Sequence, residues 1–231
     1  MYDFSHIRNL YQIEEDIGFP KEEVQSLIDK FDTLPRVLVE YYLQLGKHEL
    51  LNQIQDFLLS PNQIRDTGEY IIFYTENQGN NDWAISKKDL TLDNPPVYNS
   101  FDYKNRIFFH ENDKLSNFLH YKAYLNATQD DWKDDFLKEF LTIDSNQIEV
   151  LQEEYPIVLE YSQIYDVHWI HYNHMSEHNE YSSVERALCK FLSKYDDEII
   201  FIDEEYHGKC EVTYSTKNQK HLLEFQEYIK K

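Results

Sequence analysis

Residues 70–98, YIIFYTENQGNNDWAISKKDLTLDNPPVY, decide the fold. An apolar and aromatic run over residues 70–74 is followed by a polar turn that contains Gly79, and then by a second short run over residues 82–85. This pattern predicts a β-hairpin whose first strand is buried on both faces. The turn suits a backbone with positive φ, which glycine adopts freely and asparagine at a small cost.

The remaining landmarks of this stretch have expected structural roles. Trp83 is its largest apolar residue and is expected to anchor the core. Pro95 and Pro96 have no N–H to donate to a sheet, so they are expected to end a strand or to hold a sheet edge in extended form. None of these side chains is chemically reactive, which favours a scaffold role for the stretch.

Two amphipathic helices are predicted before the hairpin. The first begins at Pro20, because proline suits the first turn of a helix. Its apolar positions recur at helical spacing: Val24, Leu27, Ile28 and Phe31. The second begins at Pro35 and ends at Gly46, which is expected to form a left-handed C-cap. Its apolar face comprises Leu38, Tyr41, Tyr42 and Leu45. Residues 1–17 are expected to form a short helix or lead-in, and residues 48–59 a weaker helical or irregular stretch.

After the hairpin the pattern predicts a strand and a closing helix. The strand covers residues 106–110, and the helix is expected to be capped by Asn112 or Asp113. Its apolar positions are Leu115, Phe118, Leu119 and Leu125. Strands and helices are segregated rather than alternating, which predicts the α+β class, with N-terminal helices packed on a small, mainly antiparallel sheet.

The composition becomes more acidic near Ala127, so residues 1–126 are expected to form one domain and residues 127–231 an acidic α+β extension or second subdomain. An acidic helix is predicted over residues 130–141 and another helix over residues 184–195, and Ser145 is expected to cap a third that runs toward Tyr155. Other elements are expected in this order: a strand over 167–172, a hairpin of residues 198–202 and 209–214, and a last helix over 222–229.

Charge and composition narrow the classes of partner. The formal net charge is −21, and phosphate binding requires a surplus of Lys and Arg, so direct binding to nucleic acid or to an anionic membrane is disfavoured. An aromatic content of 16% favours a folded chain. The first residues do not resemble a signal peptide, and no apolar run approaches the ~20 residues of a membrane span. The two cysteines, Cys189 and Cys210, are expected to be buried thiols of a cytoplasmic protein.

The search for reactive groups gives little support for catalysis. Four histidines have a spacing reminiscent of metal ligands, namely His168, His171, His174 and His178, but they lack the Glu of a His-Glu-x-x-His motif and have no neighbouring cysteine. No Gly-x-Ser-x-Gly elbow or phosphate-binding glycine loop occurs. We therefore expect neither a metal, nor a cofactor, nor an enzymatic activity.

Acidic runs are the remaining candidates for a binding site. The residues in question are Asp130, Asp131, Asp134, Asp135, Asp196, Asp197, Glu204 and Glu205. One interpretation is a solvated face, which is the usual role of a charge run. The other is a patch that docks a basic protein surface, with aromatic residues supplying most of the affinity. The residues alone leave both interpretations open.

Two stretches resemble the SUKH superfamily, which includes a yeast cell-wall assembly regulator and many bacterial immunity proteins. The first is LPRVLVEYYLQLG, from Leu34 and Pro35 through Tyr41 and Tyr42 to Gly46. The second is residues 70–98, with Gly79, Trp83, Pro95 and Pro96 among its landmarks. They occur in the expected order and spacing, and the resemblance covers roughly residues 18–126.

The resemblance implies a non-enzymatic α+β protein that binds and neutralises a cognate bacterial toxin, often a nuclease. Nuclease toxins carry basic clefts for phosphate, which an acidic inhibitor can occupy. The alternative implied by the eukaryotic relatives is a regulatory scaffold that binds cellular proteins without a toxin partner. A polymorphic toxin with a basic surface is therefore the expected partner.

Overall fold

The computed structural model describes residues 2–54, 56–100, 107–129, 135–166, 184–203 and 209–230. Seven helices lie in these ranges: α1 (Ser5–Tyr11), α2 (Lys21–Phe31), α3 (Arg36–Gln44), α4 (Glu49–Asn52), α5 (Leu115–Thr128), α6 (Gln147–Glu154) and α7 (Gln219–Tyr228). Single 3-10 turns cover Pro61–Gln63 and Lys87–Asp89.

The strands form two antiparallel sheets. The first sheet has the order β1-β3-β4-β5-β6, with β2 also pairing with β3. Its strands are β1 (Asp56–Leu58), β2 (Arg65–Asp66), β3 (Tyr70–Glu76), β4 (Asp82–Ser86), β5 (Val97–Ser100) and β6 (Phe109–Asn112). The second sheet has the order β7-β11-β10-β9-β8. It consists of β7 (Leu137–Asp144), β8 (Ile157–Asp166), β9 (Val184–Leu192), β10 (Glu198–Ile202) and β11 (Lys209–Thr216). The mixed α and β composition predicted from the sequence is confirmed.

The predicted hairpin is present as β3 and β4. Strand β3 is buried at Ile71, Ile72, Phe73 and Tyr74, so both of its faces are covered. Gly79 has a φ of 75° in the connecting turn, as the turn chemistry requires. The side chain of Trp83 is 3% exposed and packs among the rings of Tyr74 and Phe118, which confirms its place in the core.

The two prolines precede an interior strand. Strand β5 begins directly after Pro96 and pairs with β4 on one side and β6 on the other. The expectation that Pro95 and Pro96 end a strand or hold an edge is therefore wrong. They lie before the first ladder residue, where the missing N–H of proline removes no hydrogen bond from the sheet.

Helices α2 and α3 follow the prediction, but the role of Gly46 differs. The C-cap of α3 is Leu45, with a φ of −132°, and Gly46 is not among the residues with positive φ. A Cβ at Gly46 would lie 2.7 Å from the Phe19 ring and 2.8 Å from the carbonyl oxygen of Tyr42. Close packing, rather than a left-handed cap, explains this glycine.

Gly18 meets a still closer constraint in the segment that leads into α2. Its Cβ would lie 1.8 Å from the carbonyl oxygen of Leu43. On either side of it, the N–H groups of Ile17 and Phe19 donate to the carbonyls of Gln44 and Tyr42 at 2.8 Å. The segment before α2 therefore lies directly on the last turn of α3.

Two helices predicted in the second half are strands. Residues 137–141, expected to form the end of a helix over 130–141, belong instead to β7, which pairs with β11 along its whole length. Residues 184–192, expected within a helix over 184–195, form β9 between β8 and β10. Strand β7 also alternates in a way that suits a strand, since Phe140 is 58% exposed while Leu141 packs against the C-terminal core. Pairing with distant strands outweighs the local helical spacing.

Smaller expectations have mixed outcomes. The hairpin of β10 and β11, the last helix and the helix toward Tyr155 are present, whereas the strand expected at 106–110 is observed as Phe109–Asn112. The stretch expected to be weakly helical or irregular contains α4 (Glu49–Asn52) and β1 (Asp56–Leu58). Neither α5 nor α6 has the predicted side-chain cap, because their N-caps are Lys114 and Asn146. The predicted strand over 167–172 lies outside the described residues.

The core has two parts. The larger one combines buried residues of both sheets around α5, including Phe118 and Tyr121 of the helix and Tyr161, Phe191 and Ile199 of the second sheet. The smaller one lies on the opposite face of the second sheet, beneath α6 and α7. The expected boundary after residue 126 falls inside α5. Helix α5 thus joins the two halves through a shared core.

Candidate functional site

Several predicted site residues lie outside the described residues. These are Asp130, Asp131, Asp134, Glu204 and Glu205 of the acidic runs, and the histidines His168, His171, His174 and His178. The structure places the other three acidic residues, Asp135, Asp196 and Asp197, in two different environments.

Asp135 is neutralised by a neighbouring lysine. Its carboxylate lies 2.6 Å from the ammonium of Lys217, whose side chain is 10% exposed. The hydrogen bond from this lysine lowers the pKa of Asp135. Lys217 also lies 5.0 Å from the centroid of the Phe136 ring. The Asp135 side chain is 71% exposed, and its charge is balanced locally by Lys217.

Asp196 and Asp197 line an open groove of about 1020 Å³ between α1 and the turn that joins β9 to β10. Its other lining residues are Ser5, Arg8, Asn9, Gln12, Ile13 and Glu14. We call this surface the α1 groove. Sequence reasoning identified one of its walls but missed the other, because α1 was expected only as a short helix or lead-in without an assigned face.

The two aspartates of the groove have different surroundings. Asp197 lies 2.9 Å from Nδ1 of His221 and accepts a hydrogen bond from the Asn218 amide at 3.1 Å. The His221 ring in turn stacks on Tyr195 with centroids 4.0 Å apart. These contacts fix Asp197 against the second sheet. Asp196 is exposed on the groove wall.

The opposite wall carries one acid and one paired base. Arg8 lies 2.9 Å from Asp16, so its charge is already compensated. Glu14 is exposed. Within the part of the chain that the structure describes, neither Glu14 nor Asp196 has an ion-pair partner. The α1 groove therefore presents two uncompensated carboxylates.

A half-buried histidine lies beside the groove-lining residue Ser5. Nε2 of His6 is 3.2 Å from Oγ of Ser193, and this hydroxyl donates to the carbonyl oxygen of Tyr195. Burial lowers the pKa of His6, and the nearby Asp196 carboxylate opposes that shift. Through these two contacts the Ser193 hydroxyl joins α1 to the β9–β10 turn.

A second polar cluster is buried in the core, and sequence reasoning missed it apart from Trp83. Glu111 on β6 is 2% exposed. It accepts hydrogen bonds from the Trp83 indole and the Asn99 amide, each at 2.8 Å, and from the hydroxyl of Tyr161. Burial raises the pKa of Glu111, whereas nearby Lys122 lowers it. Because Tyr161 belongs to β8, the carboxylate links the two sheets.

Lys122 completes this cluster from α5. Its side chain is 3% exposed, its ammonium pairs with Asp56, and it lies 3.5 Å from the centroid of the Trp83 ring. A buried ammonium is tolerated when a carboxylate and an aromatic face replace its water. The members of this cluster face one another inside the protein, so we assign the cluster to the scaffold. No sequence signal separates Glu111 from the many solvent-exposed acids.

Neither metal ligation nor a membrane span is evident in the described residues. No group of three or more His, Cys, Asp or Glu side chains in them is arranged to hold a metal ion. None of the helices within the described ranges has the length and apolar character needed to cross a bilayer.

Comparisons with known proteins gave no match, whether to family models, to curated proteins or to solved structures.

Proposed function

We propose that this chain is a non-enzymatic immunity protein of the SUKH type, which binds a bacterial toxin and blocks it. The observation that carries the proposal is the contact between the two stretches that resemble this family. The N–H of Val37, at the start of α3, donates to the carbonyl of Asp93, between β4 and β5, at 3.1 Å. Both stretches also contribute side chains to one core. The residues that carry the resemblance thus form a single packed unit.

The proposal includes a domain arrangement. We assign the family-like part to residues 1–126, with the N-terminal helices packed on the first sheet, and residues 127–231 to an acidic extension. Support comes from α3, where the Tyr42 hydroxyl donates to the carbonyl of Leu59, beside β1, at 2.7 Å. The extension supplies one wall of the α1 groove, so a partner bound there touches both parts.

The α1 groove is the surface that we assign to the toxin. Glu14 and Asp196 lie on its opposite walls, and the net charge of −21 adds a long-range field of the same sign. Such a field accelerates the approach of a basic protein, while close contacts determine the lifetime of the complex. The partner is accordingly a toxin with a basic surface, and neither nucleic acid nor a membrane is the direct ligand in this proposal.

Co-expression with a polymorphic toxin encoded in the same locus tests the function. We expect the chain to protect cells from that toxin and to form a stoichiometric complex with it. Continued killing in the presence of the folded protein would remove the proposal for that pair. Capture of cellular proteins without protection would instead favour the regulatory scaffold.

Charge reversal tests the surface separately. The double variant Glu14→Lys and Asp196→Lys should slow association with the toxin, with a larger effect at low salt than at high salt. Glu69→Lys combined with Glu153→Lys changes two exposed acids outside the groove lining and alters the net charge by the same amount, so this matched control should slow association much less. Equal association rates for the double variant and the wild type at low salt would move the interface away from the α1 groove.

A further inference from the structure

We propose that the outer edge of β7 pairs with β7 of a second copy of this chain, so that the second sheet continues across a two-fold axis. This inference is independent of the proposed function. Strand β7 lies at the end of the second sheet, and within the described residues it pairs only with β11. Its register with β11 runs without a shift from Leu137 to Asp144.

The outward direction of the backbone can be read from Asp144. Its N–H donates to the side-chain oxygen of Gln147 at 2.9 Å, so it points away from β11. In an antiparallel strand, the main-chain groups of alternate residues point to the same neighbour. The N–H and carbonyl groups of Phe140 and Thr142 therefore point to the open edge as well. These are the groups that a further strand would bind.

Among the described residues, the middle of this edge lacks the features that usually protect such strands, whereas Lys138 and Glu139 lie nearer one end. Natural edges are blocked by a proline, a bulge, a charge in mid-strand or a covering segment. Between Phe140 and Ile143 the strand contains neither a charge nor a proline, and the pairing with β11 contains no bulge. An edge that is smooth and is uncharged over these central residues favours pairing with another strand.

Exposed apolar side chains lie on both sides of the edge. On one face, Phe140 is 58% exposed. On the other face, the Gln226 amide of α7 donates to Glu139 of β7 at 2.7 Å, which places this flank of the helix over the strand. Leu223 precedes Gln226 by three residues, lies on the same flank and is 50% exposed. A second copy would cover both side chains.

The sequence of β7 is complementary to itself in one antiparallel register. With Leu141 of each copy on the axis, Phe140 lies opposite Thr142, and both carry outward-pointing main-chain groups. In the same register Lys138 lies opposite Asp144, once on each side of the axis. Glu139 lies opposite Ile143 in this register, and the Lys138 ammonium, which also donates to the carbonyl of Gln129, lies at the same strand position as Asp144 of the copy. The uncharged centre and the opposite charges of Lys138 and Asp144 are the features that favour a second copy as the occupant. The net charge of −21 on each copy opposes association, so added salt should strengthen the dimer.

The oligomeric state tests the proposal directly. Sedimentation equilibrium of the full chain at about 0.15 M salt should give twice the monomer mass of 28.0 kDa, with dissociation on dilution or at low salt. Thr142→Pro removes an outward N–H without affecting the ladder with β11 and should give a monomer. Thr142→Val keeps that N–H and should remain dimeric. Circular dichroism should show that both variants are folded.

Cysteine cross-linking tests the register. Opposite residues on the axis that are not hydrogen-bonded have Cα atoms about 4.5 Å apart, which a disulfide can span. Leu141→Cys should therefore form a covalent dimer on oxidation, and Phe140→Cys should do so much more slowly. The native Cys189 and Cys210 are buried and should not interfere.

Several results would overturn the proposal. A wild type that stays monomeric at every concentration and salt would do so, as would a folded Thr142→Pro variant that remains dimeric. Faster cross-linking at position 140 than at position 141 would reject the register. If β7 were protected from hydrogen exchange only when another protein is bound, that protein, and not a second copy, would be the partner of this edge.

Discussion

Trp83 combines two roles that can be separated by substitution. Its ring is buried among aromatic side chains, and its indole N–H donates to Glu111 at 2.8 Å. Trp83→Phe keeps an aromatic ring but removes the donor. Trp83→Ala removes both and also exposes the ammonium of Lys122, which lies 3.5 Å from the ring centroid, to a cavity.

The expected costs follow from these contacts. Loss of a buried aromatic side chain costs about 3–5 kcal/mol. Removal of one donor from a buried carboxylate costs about 1–3 kcal/mol, because the acceptor loses a partner that water cannot replace. For Trp83→Phe we therefore expect a loss of about 1–3 kcal/mol, mostly from Glu111. For Trp83→Ala we expect at least the cavity value, without simple addition, since both effects act on one cluster.

Urea denaturation followed by circular dichroism measures both variants, since tryptophan fluorescence would lose one of its own reporters. A double-mutant cycle of Trp83→Phe with Glu111→Gln isolates the indole–carboxylate bond and should give a coupling free energy of about 0.5–3 kcal/mol. If Trp83→Ala were within about 1 kcal/mol of the wild type, the scaffold assignment would be wrong. A fully stable variant that lost only partner binding would move the interface onto the hairpin.

The other predictions concern neighbouring features of the scaffold. Gly18→Ala should destabilise the protein by about 1–3 kcal/mol or more, because the new Cβ would overlap the main chain of α3. In Gly79→Ala the new Cβ would meet no atom within 4 Å, so this variant should lose only about 1 kcal/mol, from the positive φ. The midpoints of urea denaturation compare the two variants. Lys122→Met should cost about 3–5 kcal/mol by leaving Asp56 buried and unpaired, and adding Asp56→Leu should recover much of that loss in the same assay. Burial raises the pKa of Glu111, so its contribution to stability is complete below the unfolded pKa of about 4.3 and is lost as pH rises through the folded pKa. The free energy of unfolding of the wild type, relative to that of Glu111→Gln, should therefore fall between acidic and neutral pH. Urea titrations at several pH values measure both free energies, and a difference that does not change with pH would contradict the raised pKa.

The elements that could be predicted from sequence are those whose signals are local. Helices α2 and α3 show apolar spacing over a few turns, and the hairpin of β3 and β4 has a turn that only a few residues allow. The position of Gly46 was also marked correctly, but its reason was not. The clash that requires glycine there involves the ring of Phe19, which lies in the segment before α2, far from Gly46 in the sequence.

The wrong helices at β7 and β9 have a common physical cause. Each segment has apolar residues at spacings compatible with a helix, so the local pattern could not decide between helix and strand. The decision came from distant partners, since Val212 of β11 lies opposite Leu141 of β7, and Tyr161 of β8 opposite Cys189 of β9. Propensity is a weak prior when such pairing is available.

The acidic runs contain more carboxylates than a binding partner could contact, because some of these side chains are buried or already paired. Asp196, Asp197 and Glu198 are consecutive in the sequence, yet their side chains have different surroundings. Glu198 is fully buried, where it accepts hydrogen bonds from the Tyr214 hydroxyl at 2.6 Å and from two backbone N–H groups. Asp197 is held by His221 at 2.9 Å. Only the first member of the run faces the α1 groove without compensation among the described residues, so burial, rather than the length of an acidic run, determines which carboxylates a partner can use.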